Sequence, residues 1–380
     1  IRWPERREWG IIAPSVESRP LKTETASALP SGEFFVLLLR RAKVIIDPHA
    51  HIAPESFIDD VRKKRFGKAV TIQKGKPWEL LVTRSKVLGV DRVHKNILPV
   101  GTYDTAQRLK GMKKQNVDMQ ILSVVPPMTH YALDKGLNRE LSASLNEALI
   151  GMTKEYPDKF RCMAQIPLQD PKAAAKELQR AVKAGHLGCQ IGSNVAGKNL
   201  DDRALDPVWR MAVKLDVPVF IHPVDVMGVN DRLKDYYLRN FIGNPLDTTI
   251  AAASLIFGGV FDRFPKIKFL LSHVGGFTPW IRGRWQHGYG ERAEPKVNKA
   301  KAPENYYKKF YYDTIIHNAD ALEFAVKSLG VGRILYGTDY PFDMGNLRLA
   351  EKIPGLSRFS KKDQKRILFD NVKKLYKLKV

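Results

Sequence analysis

Eight short β-rich runs recur along the chain with helix-like segments between them, and this alternation limits the fold more than any other feature. The runs are "KVIIDPHAH" (43–51), "QILSV" (120–124), "RCMAQIP" (161–167), "GCQIG" (188–192), "PVFIHP" (218–223), "KFLLSH" (268–273), "FYYDT" (310–314) and "RILYGTD" (333–339). Most are unbroken apolar stretches, as strands covered on both faces require. Residues 138–156, 171–185, 318–330 and 361–378 carry amphipathic helical spacing. The second of these opens on Asp170 and Pro171 and closes on Gly185, sound start and stop signals. Strand and helix alternating through eight strands predict an α/β fold, a (β/α)8 TIM barrel. A doubly wound sheet is the rival, but no Gly-x-Gly-x-x-Gly follows a strand here.

Two segments stand outside the repeat. Residues 1–42 read as an irregular N-terminal extension and lead-in, with four prolines before residue 34 and no sustained periodicity. Arg and Ser content there suggests a transit peptide, but Glu5, Glu8, Glu17 and Glu24 argue against one. The barrel is then 43–380, with an insertion at about 56–104 after the first strand. An excursion at that point sits at the catalytic mouth of a barrel and can cap the site.

The end of the first run, "KVIIDPHAHI" (43–52), places His49 and His51 one residue apart, on one face of a strand. Alone, such a pair reads as two surface histidines. Yet His222 ends the fifth run, His273 the sixth and Asp339 the eighth. The C-terminal strand ends of a barrel converge on one face, so these five polar groups meet. Imidazoles with one carboxylate suit one divalent ion, Zn²⁺ first and Mn²⁺ second, with a position left for water or substrate. His49, His51, His222 and Asp339 supply four ligands, and His273 is then free for proton transfer. The fourth run, "GCQIG", holds no lysine to bridge a second metal. The remaining histidines, His94, His130, His186 and His287, read as surface or supporting groups, while His317 lies nearer the site.

Charge narrows the partners. Lys and Arg number 63 against 40 Asp and Glu, a net charge of +23. The surplus is scattered over helix faces, with short runs at 62–65, 296–301 and 361–366. Scattered charge is a solvated face that can draw in a small anionic substrate; nucleic-acid binding is the weaker reading. The apolar stretch "FFVLLL" (34–39) is too short to span a membrane. Cys162 and Cys189 sit in apolar runs and read as buried thiols of a reducing compartment, the cytoplasm.

The stretches "IDPHAHI", "FIHP", "TTIAAASLIFGGVFDRFPKIKFLLSHVGG", "GRWQHGYGER" and "GTDYPF" resemble the amidohydrolase superfamily, in its branch of aminocarboxymuconate semialdehyde decarboxylase and relatives. The resemblance runs from about residue 43 to the C-terminus and is dense from 218 to 345. It implies a metal-dependent barrel that releases CO2 from an unsaturated or aromatic carboxylic acid. It also implies that His49, His51, His222 and Asp339 bind the metal and that His273 handles its water or the substrate proton. Arg92 would hold a substrate carboxylate, Phe342 would wall the pocket, and Arg292 would reach in from a neighbouring subunit of a homodimer or higher oligomer. Where the decarboxylase carries two tryptophans, this chain has Val224 and Asn240, so its pocket is reshaped. A hydrolase or hydratase on the same metal site is the alternative chemistry. A polyanion-binding protein on a degenerate barrel is the alternative of another class.

Overall fold

The computed structural model describes residues 44–380, apart from 77–78, 88–89, 229–230 and 299–300 and the side chains of 85–92 and 94. The extension expected at 1–42 lies outside the described residues.

Strand β1 (Ile46–Ile52) and helix α1 (Glu55–Arg62) open the fold. Strands β2 (Val70–Gln73), β3 (Glu79–Val87) and β4 (Val90–Leu98) then form an antiparallel sheet of their own, within the stretch read as an insertion. The main repeat resumes with α2 (Thr105–Gln115), β5 (Met119–Val124), α3 (Lys135–Glu155), β6 (Phe160–Cys162), β7 (Ala164–Gln165) and α4 (Pro171–Ala184). It continues through β8 (Cys189–Gly192), α5 (Asp206–Leu215), β9 (Pro218–His222), α6 (Asn244–Phe257) and β10 (Lys268–Leu271). Helix α7 (Thr278–Glu291), β11 (Phe310–Tyr312) and α8 (Ala319–Leu329) follow.

Two parallel sheets carry this repeat, β1–β5–β6 and β11–β10–β9–β8–β7. The chain passes between them at Met163, whose N–H donates to Leu122 O at 2.8 Å. On the other side, residues 334–340 join β11 to β1 through single parallel bridges, Tyr312 with Ile334 and Ala50 with Tyr340. The eighth run expected at 333–339 is therefore present but irregular. Its donors explain this: Thr338 N–H binds the Asp47 carboxylate at 3.1 Å, and Asp339, at φ +58°, turns out of the ladder.

Ile46, Ile121, Met163, Phe220, Leu270, Tyr311 and Leu335 pack together, and Val372, Leu375 and Tyr376 from the C-terminal helical stretch close that cluster. A second, larger cluster lies between the strands and the surrounding helices. Apolar residues on both faces of β5, β9 and β10 are what the unbroken runs required. The caps match as well: Asp170 accepts from Ala173 N–H at α4, and Gly185 ends that helix at φ +117°. Among the described residues no helix is long and apolar enough to cross a membrane.

His186, just past α4, is 3% exposed, and burial lowers its imidazole to about 4. It is neutral in the fold, whereas in the unfolded chain it takes a proton near pH 6.5. The unfolded state therefore binds more protons between about pH 6.5 and 4, and stability falls as pH drops through that window. Urea unfolding of His186→Gln should show a loss between pH 7.5 and 5.5 smaller than the native loss by on the order of 1.4 kcal/mol.

Candidate metal centre and active site

His49, His51, His222, His273 and Asp339 come together at the C-terminal ends of the strands. A register shift between Asp47 and Ala50 bulges β1 where His49 sits, and bulges commonly re-aim a side chain in this way. His49 and His51 then face one another, with their Nε2 atoms 3.0 Å apart. The Asp339 Oδ1 atom lies 3.3 Å from His49 Nε2, 3.1 Å from His51 Nε2 and 3.9 Å from His222 Nε2. His273 approaches the other oxygen, with Nε2 at 3.5 Å from Oδ2.

The far sides of the rings decide which nitrogen faces inward. His49 Nδ1 meets the Asp313 carboxylate at 2.7 Å, His51 Nδ1 meets Val124 O at 3.1 Å, and His222 Nδ1 meets Pro223 O at 3.1 Å. Acceptors there hold the proton on Nδ1 and leave a lone pair on each Nε2. Three lone pairs and a carboxylate oxygen converge, and among the described residues neither His222 Nε2 nor Asp339 Oδ1 has a hydrogen-bond partner. Such a donor set is repulsive until a cation enters, so these residues fit a divalent metal ion. His49, His222, His273 and Asp339 each offer an atom within 4.8 Å of the others, which places His273 within reach of the same centre.

Charge follows the geometry. Burial alone would raise Asp339, but the surrounding imidazoles, His222 foremost, hold its carboxyl well below the usual range. Burial lowers His222 to about 3 and lowers His51 as well. His49 goes the other way: burial would lower it, but Asp313 and Asp339 raise it to about 10, so its Nε2 holds a proton that an entering cation displaces to free the lone pair.

Asp313 is the residue that sequence reasoning passes over. It stands next to last in the seventh run, close to where Asp339 stands in the eighth, and that is the available signal. Besides His49, it accepts the N–H groups of His273 and Val274, both at 2.8 Å. His273 and Val274 have φ of +53° and +55°, a left-handed pair in which a β-branched residue is strained. One carboxylate thus aims His49 and holds the turn that presents His273. Asp313→Asn should weaken metal binding by roughly 10- to 100-fold with the fold retained, read by titrating metal into stripped protein.

A second buried network ties the strand ends together. Arg108 is fully buried and donates to Gln120 Oε1 at 2.9 Å, to Gly101 O at 3.0 Å and to His51 O. Gln120 Nε2 donates to Asp47 at 3.1 Å, and Asp47 also accepts from the Thr338 hydroxyl at 2.6 Å and from His49 N–H at 3.1 Å. The network ends on His51 O, on His49 N–H and on Thr338, the neighbour of Asp339.

A cavity of about 320 Å³ opens beside the centre, lined by His273, Asp339, Phe241, Trp280 and His317 among others. Phe342 lies against His51, ring centres 5.6 Å apart. Arg92 falls on β4 opposite Ser85, and its side chain is outside the described part. Arg292 does not line the cavity; it is exposed just past α7 and pairs with Glu294 at 2.7 Å.

A family model described as Amidohydrolase matches residues 46–378. The chain is similar to 2-amino-3-carboxymuconate-6-semialdehyde decarboxylase of Dictyostelium discoideum, 33% identical over 329 residues, covering 86% of this chain and 89% of that one. It is similar to gamma-resorcylate decarboxylase of a Polaromonas species, 29% identical over 288 residues, 72% of this chain and 87% of that one. Its fold matches the crystal structure of a dihydroxybenzoic acid decarboxylase from Polaromonas with bound manganese and the inhibitor 2-nitroresorcinol. That match has a TM-score of 0.70 at 22% identity over 89% of this chain and 98% of the other.

Proposed function

Because the chain belongs to the amidohydrolase family, we propose that His49, His51, His222 and Asp339 hold one divalent ion, zinc before manganese, and that His273 moves the proton. The protein is a metal-dependent carboxy-lyase that releases CO2 from an unsaturated or aromatic carboxylic acid. The observation that carries the division of roles is the two-sided Asp339: three imidazoles face Oδ1 and His273 alone faces Oδ2.

A divalent ion held there supplies positive charge that polarises a substrate oxygen or a water molecule. The chain's own residues do the rest. The carbon–carbon bond to the carboxyl group breaks, CO2 leaves, and the electron pair stays on the substrate carbon. His273, partly open to the cavity, delivers the proton that replaces the carboxyl group. Phe342 walls the pocket beside His51, the insertion sheet of β2, β3 and β4 caps it, and Arg92 forks a carboxylate. The metal-dependent domain is the stretch 43–380. Cys162 and Cys189 are buried free thiols, which suits the cytoplasm.

The test is a panel of unsaturated and phenolic carboxylic acids offered to metal-loaded protein, with CO2 trapped and products identified. At least one acid should lose CO2 in step with product formation. Water addition or bond hydrolysis without CO2 would replace the lyase with a hydratase or hydrolase.

Arg292 completes the reading as a residue of the neighbouring subunit in a homodimer. Arg292→Ala and His273→Ala should each be inactive alone. A mixed dimer holds one doubly defective pocket and one intact pocket. With random exchange roughly half the dimers are mixed, so about a quarter of native activity should return. Heterodimers that stay inactive would place Arg292 in its own subunit's site, and full activity of Arg292→Ala would leave it a surface residue.

A further inference from the structure

A second cavity is lined by the segment after β5, by β3 and β4 of the insertion and by the residues that follow β9. Two buried polar side chains are among its lining residues. His130, in the turn after β5, is 4% exposed, and Thr83, on β3 of the insertion, is 6% exposed. Among the described residues neither ring nitrogen of His130 nor the hydroxyl of Thr83 has a hydrogen-bond partner. Both line the same cavity, together with Asn96, Pro223, Val224 and Arg239.

Unpartnered buried polar groups are destabilising, and two from separate elements facing one space call for a common partner. The backbone does not ask for histidine. His130 has φ +54°, where glycine or asparagine is the ordinary choice. Burial lowers its imidazole to about 4, so the ring is neutral and offers one donor and one acceptor. The Thr83 hydroxyl offers the same pair of functions. Arg239 is exposed and Asn96 half-buried, so charge stands at the rim and not at the base. Pro223 and Val224 follow His222 directly in the chain, so the cavity borders the metal centre.

We propose that this cavity is a subsite for an uncharged hydrogen-bonding substituent, a hydroxyl group, on the acid whose carboxyl end is handled at the metal centre. The proposal rests on the function argued above and adds a determinant of substrate choice. A hydroxyl both donates and accepts, and so satisfies His130 and Thr83 together. An acid without it leaves both unpaired, and such a site discriminates strongly against the bare analogue.

Calorimetric binding of benzoate and its three monohydroxy isomers to the zinc-loaded protein tests this. One isomer should bind at least about tenfold more tightly than benzoate. Thr83→Val, which keeps shape, and His130→Gly, which suits the backbone, should each shrink that preference to about twofold or less. Benzoate affinity should stay within about twofold of native in both, which also certifies the fold. A native protein indifferent to the hydroxyl, or a preference untouched in both variants, would overturn the proposal and leave the cavity to solvent. CO2 assays on the same acids separate the two readings. Lost preference without CO2 from any acid keeps the subsite and removes the lyase, whereas CO2 release with an untouched preference does the reverse.

Discussion

Asp339→Asn is expected to purify folded and nearly free of metal, where the native chain carries about one divalent ion. The carboxylate is the one negative charge among five side chains, and the others are imidazoles within 3.9 Å of its oxygens. Asparagine keeps the volume and tolerates φ +58°, so the turn at 339 survives. What is lost is the anion that balances the ion. Charge stabilisation by a bound metal is worth several kcal/mol, so CO2 release should fall on the order of 10³-fold or more. Metal content by atomic emission and activity should drop together. A variant that keeps full metal occupancy would remove Asp339 from the ligand set.

His273→Asn should behave in the opposite way, keeping its metal and losing turnover. The substitution suits φ +53° and leaves the Asp313 bonds to the backbone at 273 and 274 in place. Loss of a positioned general acid costs about 10²- to 10⁴-fold in rate. Metal-free protein is the outcome that would sink this assignment. His273 offers an atom within 4.8 Å of donor atoms on His49, His222 and Asp339, so it would then be a ligand itself.

Much of this was legible in the sequence, for physical reasons that can be named. A strand covered on both faces must be apolar throughout, so the runs that became β1, β5, β9 and β10 stood out. A polar residue at the end of such a run has few reasons to be there, and His49, His51, His222, His273 and Asp339 were found that way. Asp313 obeys the same rule, but its work depends on a bond to a residue 264 positions away. Arg108 was hidden for another reason. In "TAQRLKGMKKQ" it sits among Lys110, Lys113 and Lys114, and helical spacing alone cannot separate one interior cation from a solvated face. The eighth run reads as a regular strand because its start, Ile334 and Leu335, is apolar; the departure begins directly after them, where Tyr336 N–H bonds Ile367 O and not a neighbouring strand.

The Arg108 network bears on how fast and how selectively the centre fills. Arg108 is fixed by three acceptors and lies under the Tyr340 ring at 5.0 Å, so the ends of β1 and the 334–340 segment are clamped independently of any ion. A metal arriving there has almost no chain to order, and the conformational entropy usually surrendered on binding has already been surrendered in folding. Selectivity between ions of similar charge then falls to the size of a rigid opening. Exchange of one ion for another becomes a matter of bond breaking at the donors and not of breathing of the barrel.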